Sequence, residues 1–352
     1  MEWLESLVLG AVQGLTEFLP ISSDGHLDVM QKIFERYTGR AQSGAENLFF
    51  DVMLHVGTLA AIVIYYRAVA KTGAKGLLGS TDVPPTYRRA AVIRVGVMAA
   101  VATAPLVPLK LFLIKRIEET HGSLAWAGSG FLVTAAVLLL TMVLQPRGEA
   151  GKGPLEMSWV DALVIGIAQM FAPLPGVSRS GLTIAAALAR GLSRSWAVGF
   201  SLLIAVPAIV GAATFELRKI DPQTLTSDRV AMTVAAAVLA GVVGYGAIIW
   251  LVKVVRSGRI WYFSVYLILL GLAVLAASAV PGGATDARGE KAADRAVRRS
   301  VPGDPSGPAG GALAGSLGAG ARPAPRGDRS WPGTVEPGAA GLVLGRPLAI
   351  RP

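Results

Sequence analysis

Six stretches of this chain, roughly residues 49–66, 90–114, 123–144, 195–215, 229–252 and 260–280, are apolar over lengths that cross about 30 Å of hydrocarbon as helix. In lipid every backbone N–H and C=O of such a segment must be satisfied internally, so the expected fold class is an all-α polytopic membrane protein. Composition agrees: 53% of residues are hydrophobic, 16% are charged and the mean hydropathy is +0.54. Four further apolar stretches, 3–19, 25–34, 159–173 and 181–190, are short and interrupted. Such lengths suit re-entrant hairpins, which dip into the membrane and return. The first stretch opens on Glu2 and Glu5 rather than on a basic segment and lacks a small-residue cleavage site, so it reads as mature protein and not as a signal peptide.

The interrupted stretches come in two pairs, and the pairs are alike. QGLTEFLPISSDGHL (13–27) and AQMFAPLPGVSRSGL (168–182) each run from an apolar helix through a Pro/Ser/Gly turn into a second apolar helix. Shifted by 156 positions they share Gly10/Gly166, Gln13/Gln169, Ser22/Ser178 and Gly25/Gly181, the mark of a diverged internal repeat. Three full spans lie between the copies, an odd number, so the second copy is expected to be inverted relative to the first. In that plan broken helices meet near the midplane and their N-terminal ends form an anion site. The domain reading is a first repeat over 1–145, a loop over 146–158, an inverted second repeat over 159–280 and a tail over 281–352.

Charge gives sidedness. The net charge is +10, but the basic residues sit mostly in short loops, where they match orientation signals and anionic headgroups rather than a nucleic-acid site. Arg67, Lys71, Lys75, Arg88 and Arg89 face a single acid, Asp82, in the loop between the first two full spans, which makes that loop cytoplasmic and opens the first hairpin to the outer side. The tail holds ten of the 21 prolines with many glycines and few aromatic residues, a composition expected to be disordered. Without cysteine there is no disulfide, thiol nucleophile or Cys-ligated metal.

The turns carry the chemistry. Ionisable groups in such apolar surroundings cost about 2.5 to 3.5 kcal/mol each, so they are expected to face one another or a wet cavity. Glu17 lies one helical turn after Gln13, so an acid and an amide point together at the first turn. Beyond Pro20 come Ser22, Ser23, Asp24, Gly25 and His26; Ser22 and Asp24 have an ordinary role as helix N-caps, whereas Ser23 stands beside both Glu17 and His26. In the second turn Arg179 lies between Ser178 and Ser180 just before an apolar helix, with Gly176 and Gly181 allowing close backbone approach. A guanidinium, hydroxyls and free N–H groups at a helix start form a phosphate receptor. Arg179 as a mere counter-ion to Glu17 is the structural alternative. A substrate with phosphate at one end and hydrocarbon at the other fits, and hydrolysis would use Ser23 as nucleophile, Glu17 or His26 as base and Arg179 as clamp.

QGLTEFLPISSDGHL, FFDVMLHVGTLAAIVIYYR and PGVSRSG, in this order over residues 1–280, resemble the undecaprenyl-diphosphate phosphatase family, also called bacitracin-resistance proteins. The resemblance implies an inverted repeat with two re-entrant hairpins in the bacterial plasma membrane, with its active site on the outer face. The implied activity is hydrolysis of undecaprenyl diphosphate to undecaprenyl phosphate and inorganic phosphate, recycling the lipid carrier of cell-wall synthesis and conferring bacitracin resistance. It places the essential acid at Glu17, the nucleophile at Ser23, the histidine at His26 and the phosphate-binding arginine at Arg179. Gln13 stands where many members have a second glutamate, and His55 falls in the LHVGT segment, where it could line the cavity or pack.

One position departs from the family pattern. Asp24 stands where Thr or Ser is usual, and a carboxylate beside a diphosphate repels it unless Arg179 or a cation intervenes. A divalent cation, Mg²⁺ or Ca²⁺ held with Glu17 or Asp24, is therefore the one cofactor expected. Expected partners are the polyprenyl lipid substrate, the bilayer and a second copy of the chain as a homodimer. A polyprenyl-phosphate transporter is the competing function, since inverted repeats also build carriers. The type 2 phosphatidic acid phosphatases are excluded, because they need a histidine six residues after the arginine and Ala185 stands there.

Overall fold

The computed structural model describes residues 2–39, 44–112, 117, 119–146, 150–220 and 225–279; the expected disordered tail lies outside them. The helices are α1 (Trp3–Phe18), α2 (Ser23–Thr38), α3 (Gly44–Tyr65), α4 (Arg67–Leu77), α5 (Arg89–Thr103), α6 (Leu106–Phe112), α7 (Leu124–Leu144), α8 (Trp159–Gln169), α9 (Arg179–Ala189), α10 (Arg194–Leu217), α11 (Ser227–Arg256) and α12 (Tyr262–Ala279). Six segments among the described residues are long and apolar enough to cross a membrane: Leu48–Tyr65, Arg89–Leu109, Leu124–Leu144, Arg194–Leu217, Ser227–Arg256 and Tyr262–Ala279. They coincide with the six expected spans. Large apolar side chains such as Val143, Val242 and Leu269 are more than half exposed on them, which suits a surface solvated by lipid.

Two local departures have clear causes. The second span is not one helix: α5 and α6 part at Ala104 and Pro105, because proline lacks an N–H and its ring opposes the carbonyl four residues back. The basic loop after α3 is also not irregular. Its first part is the helix α4, with Arg67, Lys71 and Lys75 spaced by four along one exposed face.

The short helices form two hairpins. Ser158 caps α8 by accepting from the Asp161 N–H at 3.2 Å, while the Asp161 carboxylate accepts from the Ser158 N–H at 2.9 Å. The same carboxylate receives Lys152 Nζ at 2.9 Å and Arg190 Nε at 2.8 Å. Burial would push this acid up, but the bonds from Ser158, Lys152 and Arg190 outweigh it and hold it down at about 2. Arg190 directly follows α9, so the staple joins the start of α8 to the end of α9 and closes the hairpin. Helices of 11 residues are about 16 Å long, half of a hydrocarbon thickness of about 30 Å.

Each hairpin's first helix packs on a span from the other half of the chain, α1 on α11 and α8 on α5. Small residues permit this closeness. A Cβ on Gly10 would come within 2.5 Å of the Ala236 carbonyl oxygen, and one on the equivalent Gly166 within 2.6 Å of the Ala102 oxygen. Such small-residue seams are how helices associate where lipid removes the hydrophobic drive.

Candidate active site

The two turns meet. A Cβ on Gly25, at the start of α2, would lie 2.7 Å from the Gly176 Cα of the second turn, so glycine is required for the contact. Gly176 has a φ of 80°, open to glycine at no steric cost, and packs on the Ala127 carbonyl of α7. Both helix starts are capped alike: Ser22 Oγ accepts from the Gly25 N–H at 3.4 Å and Ser178 Oγ from the Gly181 N–H at 3.1 Å. The caps satisfy one N–H at each helix start, and the N–H groups before it in α2 and α9 have no acceptor within their own helix.

Glu17, in the last turn of α1, is the hub. Its Oε1 receives Arg179 Nη2 at 2.6 Å from the other half of the chain. Its Oε2 receives the Ser23 hydroxyl at 2.8 Å and Gln13 Nε2 at 3.0 Å. The Glu17 side chain is 4% exposed and that of Arg179 17%, so this ion pair is shielded from water. His55 on α3 donates from Nδ1 to the Asp51 carbonyl at 2.8 Å and turns Nε2 toward Glu17 Oε2, 3.6 Å away. Gln13 and Glu17 of α1, Ser23 of α2, His55 of α3 and Arg179 of α9 are thus brought together from four helices.

Other expected site residues are placed differently. Ser178 and Ser180 are buried and mutually bonded at 3.2 Å, and Ser180 also donates to the Leu19 carbonyl at 3.0 Å, so their hydroxyls stitch the two turns together. Gly181 packs on Ser178 and Pro20. Neither ring nitrogen of His26 bonds Ser23: Nδ1 donates to the Ser22 carbonyl at 2.6 Å and Nε2 pairs with the Tyr266 hydroxyl at 2.8 Å. Asp24 is half-buried in the first turn of α2, within electrostatic reach of Asp51 and His55. Among the described residues no three His, Cys, Asp or Glu side chains are grouped to hold a metal ion. The residues therefore provide no protein-only cage and fit at most a cation that takes most of its ligands from substrate phosphates.

Two residues carry parts that the sequence did not flag. Thr134 of α7, fully buried, donates to the Gly176 carbonyl at 3.1 Å and accepts from the Ser178 N–H at 3.0 Å. Thr183 Oγ1 donates to the Arg179 carbonyl at 2.8 Å and shares a bond of 2.7 Å with Ser201 of α10. A hydroxyl inside an apolar span is common, so neither stands out without its partner. Thr134→Val leaves two backbone groups of the second turn buried and unpaired and is expected to cost about 1 to 3 kcal/mol. Thr134→Ser should restore most of it, as thermal unfolding of the two purified variants will show.

The fold and site define a multi-pass membrane protein with a buried acid, serine and arginine centre shared by two hairpins. The family model described as bacitracin resistance protein BacA matches residues 6–273, and the chain belongs to that family. It is 39% identical over 277 residues to the undecaprenyl-diphosphatase of Desulfosudis oleivorans, covering 77% of this chain and 97% of that protein. It is 36% identical over 282 residues to the undecaprenyl-diphosphatase of Chloroherpeton thalassium, covering 78% and 96%.

Proposed function

We propose that this protein is an integral-membrane phosphatase that hydrolyses undecaprenyl diphosphate to undecaprenyl phosphate and inorganic phosphate. The observation that carries the reading is the Glu17 carboxylate, bonded on one oxygen to Ser23 and on the other to Arg179. A nucleophile already on its base, next to a cation with further N–H donors to offer, is the apparatus of phosphoryl transfer. The names of the relatives point the same way and disfavour the transporter reading, since transport needs no nucleophile.

In the proposed sequence Glu17 takes the Ser23 proton as Oγ attacks the terminal phosphorus. The bond to the bridging oxygen breaks, its electron pair leaves with undecaprenyl phosphate, and Glu17 passes the proton it has taken to that departing oxygen, which returns the carboxylate to its charged form. Arg179 and the N-termini of α2 and α9 neutralise charge on the phosphoryl oxygens. A water then gives its proton to Glu17 and attacks the phosphoserine; the Ser23 oxygen leaves, regains a proton from Glu17, and inorganic phosphate departs. The site is read as facing the outer side of the plasma membrane, with α4 and its lysines cytoplasmic and the two halves inverted.

Phosphate release from undecaprenyl diphosphate by the purified full-length chain in detergent, where there is no second compartment, tests the function. Equimolar inorganic phosphate and undecaprenyl phosphate are expected; a folded protein that binds the lipid and releases no phosphate would return the fold to the carriers. The same assay addresses Asp24. Its charge beside Ser23 supports a cation shared with the diphosphate, so Asp24→Thr is expected to lower the divalent-cation requirement while leaving turnover intact. Unchanged Mg²⁺ and Ca²⁺ titrations would leave Asp24 as a first-turn acid, contributing about 0.3 to 1 kcal/mol to α2.

A further inference from the structure

Tyr266, on the last span α12, is 240 positions from His26 in sequence and 2.8 Å from its Nε2 in space. The other ring nitrogen is 2.6 Å from the Ser22 carbonyl. A carbonyl cannot donate, so Nδ1 carries the hydrogen, and in the neutral ring Nε2 is then an acceptor for the Tyr266 O–H. Both nitrogens are engaged, and neither bond goes to Ser23, whose hydroxyl donates to Glu17. The ring is also wedged sideways: Phe131 of α7 meets it edge-on with centroids 5.0 Å apart, and the Tyr266 ring stacks at 5.8 Å.

The far end of this chain of contacts is a strained residue. Ser22 has a φ of 71°, the one positive value outside glycine among the described residues. Such a conformation persists only where its surroundings hold it. His26 pulls on the Ser22 carbonyl, Gly25 bonds its hydroxyl, and the next residue is Ser23.

We propose that Tyr266 is a positioning residue for the hydrolysis: through His26 it braces the Ser22 turn and so aims Ser23 at Glu17. The histidine in this arrangement is a strut between α12 and the turn, and Glu17 alone is the base. This rests on the phosphatase reading for its kinetic consequences, while the brace itself is a matter of folding that can be measured without turnover.

The test is a double-mutant cycle on the full-length protein, reading kcat, KM and thermal stability with undecaprenyl diphosphate as substrate. Tyr266→Phe is expected to lower kcat about tenfold, the equivalent of one lost hydrogen bond, with KM within about twofold of wild type. Added to His26→Ala it should cost nothing more, because Tyr266 acts only through the imidazole. His26→Asn, whose amide N–H can replace Nδ1–H on the Ser22 carbonyl, should recover most of the rate that His26→Ala loses. A wild-type kcat in Tyr266→Phe, losses that multiply in the double variant, or a His26→Asn variant as inactive as His26→Ala would each overturn the proposal; the last would mark His26 as an acid or base. Should His26→Ala not fold, His26→Asn, too short to reach Tyr266, closes the cycle. If wild type itself releases no phosphate, the phosphatase reading fails, and the brace is judged by the same non-additivity in thermal stability alone.

Discussion

Arg179→Lys is expected to be nearly as inactive as Arg179→Ala, with kcat/KM down by about 10² to 10³ in both. The guanidinium gives Nη2 to Glu17 at 2.6 Å, and in the proposed mechanism its remaining N–H groups take the phosphate, so that one side chain would span base and substrate. An ammonium is a point charge that can hold Glu17 or the phosphoryl oxygens but cannot fork between them. The alanine variant carries a second defect, since removing one partner of a shielded ion pair strands the other at a cost of about 3 to 5 kcal/mol. Lysine keeps the charge and isolates the geometry. Steady-state kinetics on undecaprenyl diphosphate, with thermal unfolding to separate stability from chemistry, checks it. A lysine variant keeping more than roughly a tenth of the wild-type kcat/KM, a loss under about 1.4 kcal/mol, contradicts the forked contact.

Much of this was legible in the sequence because lipid imposes a length rule on apolar helices, and the six spans follow from it. The paired positions were legible because like physical demands recur at them: Gly10 and Gly166 each sit against a backbone carbonyl of a distant helix, and Ser22 and Ser178 each cap a helix. Gln13 and Gln169, also paired in sequence, have unlike partners, the first donating to Glu17 and the second to the Ala102 carbonyl. Glu17, Ser23 and Arg179 stood out because charge and hydroxyls are costly in such surroundings. Tyr266 and Thr134 did not, since an aromatic near the end of a span and a hydroxyl within one have ordinary explanations, and their partners lie 240 and 42 to 44 positions away. The break at Pro105 was marked by the residue itself, but the surrounding run had the length and apolarity of one span.

Ser23→Ala is the other large effect. With Ser23 Oγ on Glu17 at 2.8 Å, loss of the hydroxyl removes the covalent route and is expected to abolish turnover, while Arg179 and the helix N-termini keep binding substrate. If instead Glu17 activated a water directly, the alanine variant would lose only one donor and retain a rate within about 10²-fold of wild type. The decisive measurement is rapid-quench analysis of the purified enzyme with substrate labelled in the terminal phosphate. A burst of phosphoenzyme, mapped to Ser23 and absent from the Ser23→Ala variant together with turnover, is the expected result; no phosphoenzyme, with a slow but measurable alanine variant, would contradict it and make water the nucleophile.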